Sequence, residues 1–176
     1  MTRYIAFLRA INVGGHVVKM DYLRQLFESL GYSNIETFIA SGNILFETNL
    51  NSNLEKKIES KLRAALGYDV TTFIRTDVEL KAVADYRPLP QSQLEAATAF
   101  NVAFLKESLD DKSNQKVMSL RTDIDDFHLR GRELYWLCKK KQSESTFSNA
   151  VLEKTLGRPS TIRGVNTIQK IAAKYQ

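Results

Sequence analysis

The sequence predicts an α+β protein made of two consecutive units of strands and helices. Short apolar runs typical of strands alternate with segments whose apolar residues recur at helical spacing. The order strand–helix–strand–strand–helix–strand of the first half also begins again after a proline-containing break at residues 87–93. No repeat of individual residues is apparent, so the tandem organisation rests on this order alone. A chain of 176 residues is long enough for one sizeable domain or two small ones.

Local signals define each element of the first unit. Runs of β-favouring apolar residues predict four strands, at residues 3–8, 35–40, 44–48 and 70–74. Helical spacing of apolar residues predicts two helices, at residues 20–30 and 54–66. Gly31 and Gly67 stand where these helices end, since glycine readily adopts the left-handed conformation of a helix C-terminus. Ser41-Gly42-Asn43 suits a hairpin turn between the second and third strands, and a capping box at residues 76–79 begins a further short helix.

The second unit repeats this order except at its end. Apolar runs predict three strands, at residues 100–106, 124–129 and 134–138. Helices are predicted at residues 110–120 and 148–156, and a terminal helix has Ile168, Ile171, Ala172 and Tyr175 as its apolar face. Residues 158–164 are predicted to be a loop in place of a fourth strand. The whole chain is thus predicted to hold two tandem ferredoxin-like subdomains, at residues 1–86 and 94–176, the second ending in a helix.

The first strand is apolar on both faces, with Tyr4, Ala6 and Leu8 alternating with Ile5 and Phe7. This pattern predicts a sheet covered on both faces, either by the second unit or by another subunit. Aromatic residues on such strands also occur in RNA-recognition sheets, but the basic-glycine-aromatic motif of those sheets is missing. Packing in the core is therefore favoured over stacking on bases.

Charge and cysteine content restrict the classes of partner and compartment. The chain has 25 basic and 20 acidic residues, and residues 130–176 alone hold ten basic and three acidic ones. Such a basic region attracts phosphates or nucleic acid, although it also fits a merely solvated surface. A single cysteine, Cys138, excludes an intramolecular disulfide and fits a reducing compartment. The apolar run at the N-terminus is too short for a membrane span, so a cytoplasmic location without a membrane partner is expected.

The order of elements brings two polar loops together. In a βαββαβ unit the third strand pairs beside the first, so the loop after the first strand and the hairpin turn lie at one end of the sheet. Backbone donors, amides, a hydroxyl and cations gather there, as an anion site needs. The candidate residues are Arg9, Asn12, Gly14, Gly15, His16, Lys19, Ser41, Gly42 and Asn43. The glycines also fit a purely structural role in the turn, and no nucleotide-binding motif is present.

Other reactive residues give no further site. With two histidines and one cysteine in the chain, neither a metal site nor a cofactor is predicted. His16 lies in the glycine loop and is the better acid–base candidate, whereas His128 lies in a predicted strand and fits a structural role. Cys138 ends an apolar run and is predicted to pack inertly. Ser41 lacks the frame of an acyl-transfer nucleophile.

The chain carries the runs FLRAINVGGH at residues 7–16 and IASGNILF at residues 39–46. Together these runs resemble two signatures of the bacterial domain-of-unknown-function family 1697. The resemblance extends towards the C-terminus and implies an α+β protein with ferredoxin-like subdomains. It implies no activity.

One segment departs from the pattern of that family, whose members usually carry Arg-Asn-Trp-Asn-Thr before the last helix. Here Arg163, Asn166 and Thr167 keep their places and join the candidate binding residues, while Gly164 and Val165 replace the asparagine and the tryptophan. Either the missing indole weakens a ligand contact, or Val165 fills less of a core.

The sequence is compatible with three functions. The leading hypothesis is non-catalytic binding of a phosphate-bearing ligand, either a nucleotide or nucleic acid, with Arg9 and Lys19 supplying charge. The first alternative is an enzyme acting on a small polar or anionic substrate through His16. The second alternative is a protein-interaction module. The oligomeric state is left open.

Overall fold

The alternation of apolar strands and amphipathic helices is present in the computed structural model, which describes residues 1–12, 14–39 and 42–175. These residues form two four-stranded antiparallel sheets and seven α-helices, an α+β architecture. The chain divides into two compact units, Met1–Lys81 together with Lys174 and Tyr175, and Ala82–Ala173. Among the described residues, no helix has both the length and the apolar character needed to cross a membrane.

The first unit contains a sheet with two helices packed against one face. Its elements are β1 (Thr2–Leu8), α1 (Met20–Glu28), β2 (Ser33–Thr37), β3 (Asn43–Thr48), α2 (Leu54–Leu66), β4 (Thr72–Thr76) and α3 (Asp77–Asp85), the last of which runs across the division between the units. The strand order is β2-β3-β1-β4. Leu23 and Phe27 of α1 join Ile58 and Leu62 of α2 in a core beneath Ala6. The predicted capping box is present, because Thr76 and Glu79 exchange hydrogen bonds at the start of α3.

Both faces of the first sheet are covered, as its two apolar faces predict. Ile5, Phe7 and Phe73 point away from the helices that form the core and are each 0% exposed. On the opposite face Tyr4 and Phe46 are buried and stacked, with ring centroids 5.6 Å apart. Because these aromatic rings lie inside the protein, the sheet offers no platform on which bases could stack.

The second unit has the same order of elements after one added helix. Its elements are α4 (Gln91–Ala96), β5 (Ala99–Phe104), α5 (Asp111–Met118), β6 (Asp125–Arg130), β7 (Glu133–Cys138), α6 (Asn149–Leu156), β8 (Thr161–Gly164) and α7 (Val165–Ala173), with a 3-10 turn at Gln142–Glu144. The strand order is β6-β7-β5-β8. Two expectations are wrong here. Residues 161–164 form a fourth strand rather than part of a loop, and α4 lies partly within the predicted break.

The physical reason for the missed strand is that its signal is not local. β8 has four residues, and one of them is an arginine and one a glycine, so its own sequence favours a strand only weakly. It becomes a strand because Ile162 pairs with Ala103 at the open edge of β5. The reason for the added helix is local: the six residues of α4 begin directly after Pro90, and proline is compatible with the start of a helix although it interrupts one that is under way.

The pairing registers reveal a repeat of individual residues that the sequence alone did not show. Ala6 pairs with Ile44 and Ile74 in the first sheet, and Ala103 pairs with Leu134 and Ile162 in the second. Aligning the two alanines makes residues 5–8 (IAFL) equivalent to residues 102–105 (VAFL). It also makes Arg75 of β4 equivalent to Arg163 of β8. The two units therefore share strand registers and buried side chains as well as element order.

A buried carboxylate holds together one end of the second sheet. Asp125 is 2% exposed and accepts hydrogen bonds from Trp136 Nε1 (2.9 Å), Ser145 Oγ (2.7 Å) and Thr122 Oγ1 (2.8 Å). Burial by itself raises the pKa of Asp125, but these hydrogen bonds outweigh it and hold the pKa below its ordinary value. The folded protein thus favours the ionised form of this carboxyl.

We expect Asp125→Asn to lower the free energy of unfolding by about 2 kcal/mol at neutral pH, because an amide meets donors that need an acceptor. The depressed pKa means that the carboxylate stabilises the fold above the unfolded value of about 4, and that this contribution is lost as the pH falls through the folded pKa. The difference in the free energy of unfolding between wild type and variant should therefore become smaller in acid. Urea unfolding followed by Trp136 fluorescence at neutral and acidic pH measures it.

Asp126→Asn is the matched control. Asp126 is half-exposed and pairs with Arg121 at 3.2 Å, so its loss should change the free energy of unfolding by about 0.5 kcal/mol or less. Equal losses of unfolding free energy in the two variants would contradict the role assigned to Asp125. A loss in Asp125→Asn that does not depend on pH would contradict it as well.

Candidate functional site

Pairing of β1 with β3 places the glycine loop and the hairpin turn at one end of the first sheet. Phe7 lies opposite Asn43, and the backbone N–H of Leu8 donates to the carbonyl of Gly42 at 2.8 Å. Arg9 follows directly, and its N–H donates to the carbonyl of Thr71 at 2.9 Å. Three chain segments therefore meet where β1 ends, namely the loop after β1, the hairpin turn and the segment before β4.

The loop after β1 exposes two glycines in left-handed conformation. Gly14 has a φ of +62° and Gly15 a φ of +82°, and both are exposed. A Cβ on Gly15 would meet nothing within 4 Å, so its backbone conformation, and not crowding, favours glycine there. Ser41, also predicted to belong to this site, lies outside the described residues, as do Val13 and Ala40.

The two asparagines of the candidate site hold the loops in place. Asn12 Oδ1 accepts a hydrogen bond from the backbone N–H of Val18 at 2.9 Å and so closes the glycine loop. Asn43 is buried, and its Nδ2 donates to the carbonyls of Phe38 (3.0 Å) and Ile39 (3.1 Å) in the hairpin. These side-chain amides thus fix the backbones that a ligand would contact.

Tyr68 belongs to this end of the sheet although its sequence context did not indicate it. Its ring stacks on His16 with centroids 4.3 Å apart, and its hydroxyl donates to the carbonyl of Ile11 at 2.7 Å. The signal that could have found it is topological. β4 pairs antiparallel with β1, so the segment just before β4 must lie beside the end of β1.

Two cationic residues, Arg9 and Lys19, flank the glycine loop in the sequence. Arg9 is half-buried, whereas His16 and Lys19 are exposed. Lys19 is the N-cap residue of α1, and its side chain makes no capping hydrogen bond. The first turn of α1 contains one acidic residue, Asp21. Helix N-termini attract anions because their first N–H groups have no partner within the helix.

The three candidate residues near the C-terminus lie in the second unit. Arg163 is in β8, and its Nη1 donates to Thr161 Oγ1 (2.8 Å) and to the carbonyl of Ile162 (2.9 Å). Burial lowers the pKa of Arg163 to about 10, so its guanidinium is still charged at neutral pH. Asn166 and Thr167 stand in the first turn of α7. Arg163 therefore satisfies part of its hydrogen-bonding capacity within its own strand.

The remaining reactive residues have structural surroundings. His128 Nε2 lies 2.6 Å from the hydroxyl of Tyr86. Cys138 is buried in the second core, where burial raises the pKa of its thiol and disfavours a nucleophilic thiolate, in agreement with the expectation of inert packing. Within the part of the chain that the structure describes, no three His, Cys, Asp or Glu residues cluster as they would around a metal ion.

We expect Asn12→Ala to open the glycine loop locally, because the N–H of Val18 loses its acceptor. Hydrogen exchange at the Val18 amide should become about tenfold faster, which corresponds to about 1.4 kcal/mol. Asn12→Asp keeps an acceptor oxygen and should keep the protection. The amide of Leu23, bonded to the Lys19 carbonyl in α1, is the internal reference. Unchanged exchange at Val18, or equal acceleration at Leu23, would contradict this role for Asn12.

Comparison with known proteins agrees with the resemblance of the two sequence motifs. A family model described as a protein of unknown function, DUF1697, matches residues 1–135. No curated protein matches the chain. Among solved structures, that of the conserved bacterial protein SP0830 from Streptococcus pneumoniae is similar with a TM-score of 0.80 and 26% sequence identity, over 99% of each chain. The family match includes both signature runs and most of the chain, and we conclude that the chain belongs to the DUF1697 family.

Proposed function

We propose that the protein binds a phosphate-bearing ligand, a nucleotide or nucleic acid, without catalysing a reaction, at the end of the first sheet. The observation that carries this proposal is the hydrogen bond between the Leu8 N–H and the Gly42 carbonyl, 2.8 Å long. It fixes the hairpin beside the exposed glycine loop, directly before the N-terminus of α1. Phosphate groups bind where backbone N–H groups and cations converge in this way.

The chemistry of the surrounding groups supports a phosphate. Gly14 and Gly15 let a ligand approach the backbone closely, because neither carries a side chain. Arg9 and Lys19 supply positive charge on either side of this loop in the sequence, and His16 adds a ring nitrogen. Asn12 and Tyr68 fix the loop from within, so fewer degrees of freedom are lost when a ligand binds.

We also infer the fold of each unit and the compartment of the protein. We infer that each unit is a ferredoxin-like subdomain, because each has the order βαββαβ and the equivalent strand order β2-β3-β1-β4 or β6-β7-β5-β8. A reducing, cytoplasmic setting is supported by the single, buried cysteine. The basic stretch at residues 130–176 supports an anionic partner.

Exposed apolar side chains favour docking of another protein as the second candidate function. Val17 is 83% exposed, and Met20, Tyr22 and Ile39 are also exposed large apolar residues. All four lie in the loop after β1, the start of α1 or the hairpin, at the same end of the sheet. Apolar groups of this kind commonly serve contacts with other proteins.

A salt titration distinguishes the two functions. For binding to a single-stranded oligonucleotide, log affinity should fall with log salt at a slope of about −0.7 for each phosphate contact. Lys19→Gln should reduce the steepness of that slope by about 0.7 and weaken binding about threefold to tenfold at low salt, because one cation is lost. Fluorescence anisotropy with a labelled oligonucleotide and with a labelled nucleotide measures both quantities.

Lys112→Gln is the matched control, because Lys112 is an exposed lysine in α5 of the second unit and should leave slope and affinity unchanged. Absence of binding to oligonucleotide and nucleotide at low salt would remove the proposal. Binding of a protein partner with little dependence on salt would instead support the docking function.

A further inference from the structure

A cavity in the second unit lies where β5 begins and β8 ends. Its volume is about 430 Å³, enough for a small organic molecule. Phe100 and Asn101 of β5, Gly164 of β8 and the first residues of α7 line it on one side, and α4 lines it on the other. All the lining residues belong to the second unit.

Asn101, one of the residues that line this cavity, has a buried donor without a partner in the described part of the chain. The residue is 7% exposed, and its Nδ2 has no hydrogen-bond partner among the described residues. A buried donor without an acceptor costs about 1–3 kcal/mol, so proteins seldom retain one without a use for it. A ligand that brings an acceptor into the cavity would satisfy Asn101 once its side chain turns the buried Nδ2 towards that acceptor.

In the first unit the position equivalent to Asn101 holds a large aromatic residue. Tyr4 lies opposite Phe46 and Thr76, just as Asn101 lies opposite Trp136 and Gly164. The large ring of Tyr4 stands where the second unit has the smaller Asn101.

The two units also differ in how the helix after their last strand is capped at its start. In the first unit Thr76 and Glu79 cap the start of α3 with two hydrogen bonds, at 2.8 and 3.1 Å. In the second unit the equivalent positions are Gly164 and Thr167, and the first turn of α7 contains no acidic residue. The N-terminus of α7 thus lines the cavity without the carboxylate that its counterpart has.

Several donors line the cavity. The first N–H groups of α7, Asn101 Nδ2 and the guanidinium of Arg87 can all donate. Arg87 is anchored at the cavity because its Nη1 donates to the carbonyls of Ala84 (2.8 Å) and Tyr86 (2.9 Å). Glu95, the acidic lining residue, accepts a hydrogen bond from Gln91 at 3.0 Å.

From this arrangement we propose that the cavity is a second ligand site, which binds a small molecule carrying an oxyanion, either a carboxylate or a phosphate, on a flat apolar body. The oxyanion accepts hydrogen bonds from Asn101 Nδ2 and the start of α7, and the apolar body lies against the half-buried ring of Phe100. This site is separate from the glycine loop of the first unit, so the failure of either proposal leaves the other intact.

Titration of the ¹⁵N-labelled full chain with benzoate, phenyl phosphate and neutral benzamide tests the proposal. We expect saturable shifts of the Asn101 side-chain amide and of the Val165 and Asn166 backbone amides, with a dissociation constant of about 10 mM or tighter for an oxyanion probe. Benzamide should bind at least about tenfold more weakly, because it lacks the charge. Benzoate binding alone identifies a carboxylate ligand and phenyl phosphate binding alone a phosphate ligand; binding of both supports the shared oxyanion chemistry.

Variants locate the binding within the cavity. Asn101→Leu removes the donor and should weaken binding about tenfold without lowering the unfolding midpoint, because it also removes an unsatisfied buried group. The double variant Gly164→Thr and Thr167→Glu installs the cap of the first unit and should abolish binding. A Cβ at Gly164 would lie 3.7 Å from Asn101 Oδ1, an ordinary contact that the fold accommodates.

Glu95→Gln removes a negative charge from the cavity and should tighten binding of the oxyanion about twofold. Thr76→Ala with Glu79→Gln removes the cap of the first unit and is the control, which should lower stability but leave binding unchanged. The proposal would be overturned if neither oxyanion gave a saturable shift, or if benzamide bound equally well. It would also be overturned if binding were unchanged both in Asn101→Leu and in the double variant Gly164→Thr and Thr167→Glu.

Discussion

The position of β1 between β3 and β4 is the constraint on which the first unit depends. Its central residues are buried on both faces, so the strand cannot shift by one residue without exchanging the side chains of the two faces. This register also fixes where the chain leaves the sheet. The N–H groups of Leu8 and Arg9 bond to the carbonyls of Gly42 and Thr71, and the surrounding loops are thereby held at one end, where Ile11 and Val18 join the core.

The same register in the second unit shows which features the fold requires and which can vary. Arg75 and Arg163 are equivalent, and in each the Nη1 atom donates to the carbonyl of the residue before it, at 2.8 and 2.9 Å. An arginine in this position thus compensates for part of its own desolvation, which makes it tolerable within a sheet. Tyr4 and Asn101 are also equivalent, yet they differ in size and polarity. The two units therefore share strand registers but differ at this buried position in their first strands.

Local signals predicted most helices and strands, and the order of these elements predicted that two loops meet. Features that depend on how distant segments pair in detail were not predicted. The capping box at Thr76 and the glycine at the end of α2 could be predicted because their signals lie within a few residues. β8 could not, since it needs the edge of β5 as a partner. The placement of Tyr68 beside His16 depends on the pairing of β4 with β1. The inward direction of the Asn43 amide depends on the shape of the hairpin, which its residue type does not determine.

Burial of both sheet faces limits where this protein can meet a ligand. Ile5 and Phe7 in β1, like Val102 and Phe104 in β5, are 0% exposed, so the strand surfaces that bind ligands in open sheets are already occupied. Backbone N–H groups remain accessible where strands end and helices begin, because neither a ladder nor a helix satisfies them there. In the first unit the glycine loop lies after the C-terminal end of β1, and in the second the cavity lies at the N-terminal end of β5. The two proposed sites thus lie at opposite ends of equivalent strands, where backbone N–H groups can meet a ligand although the sheet faces are buried.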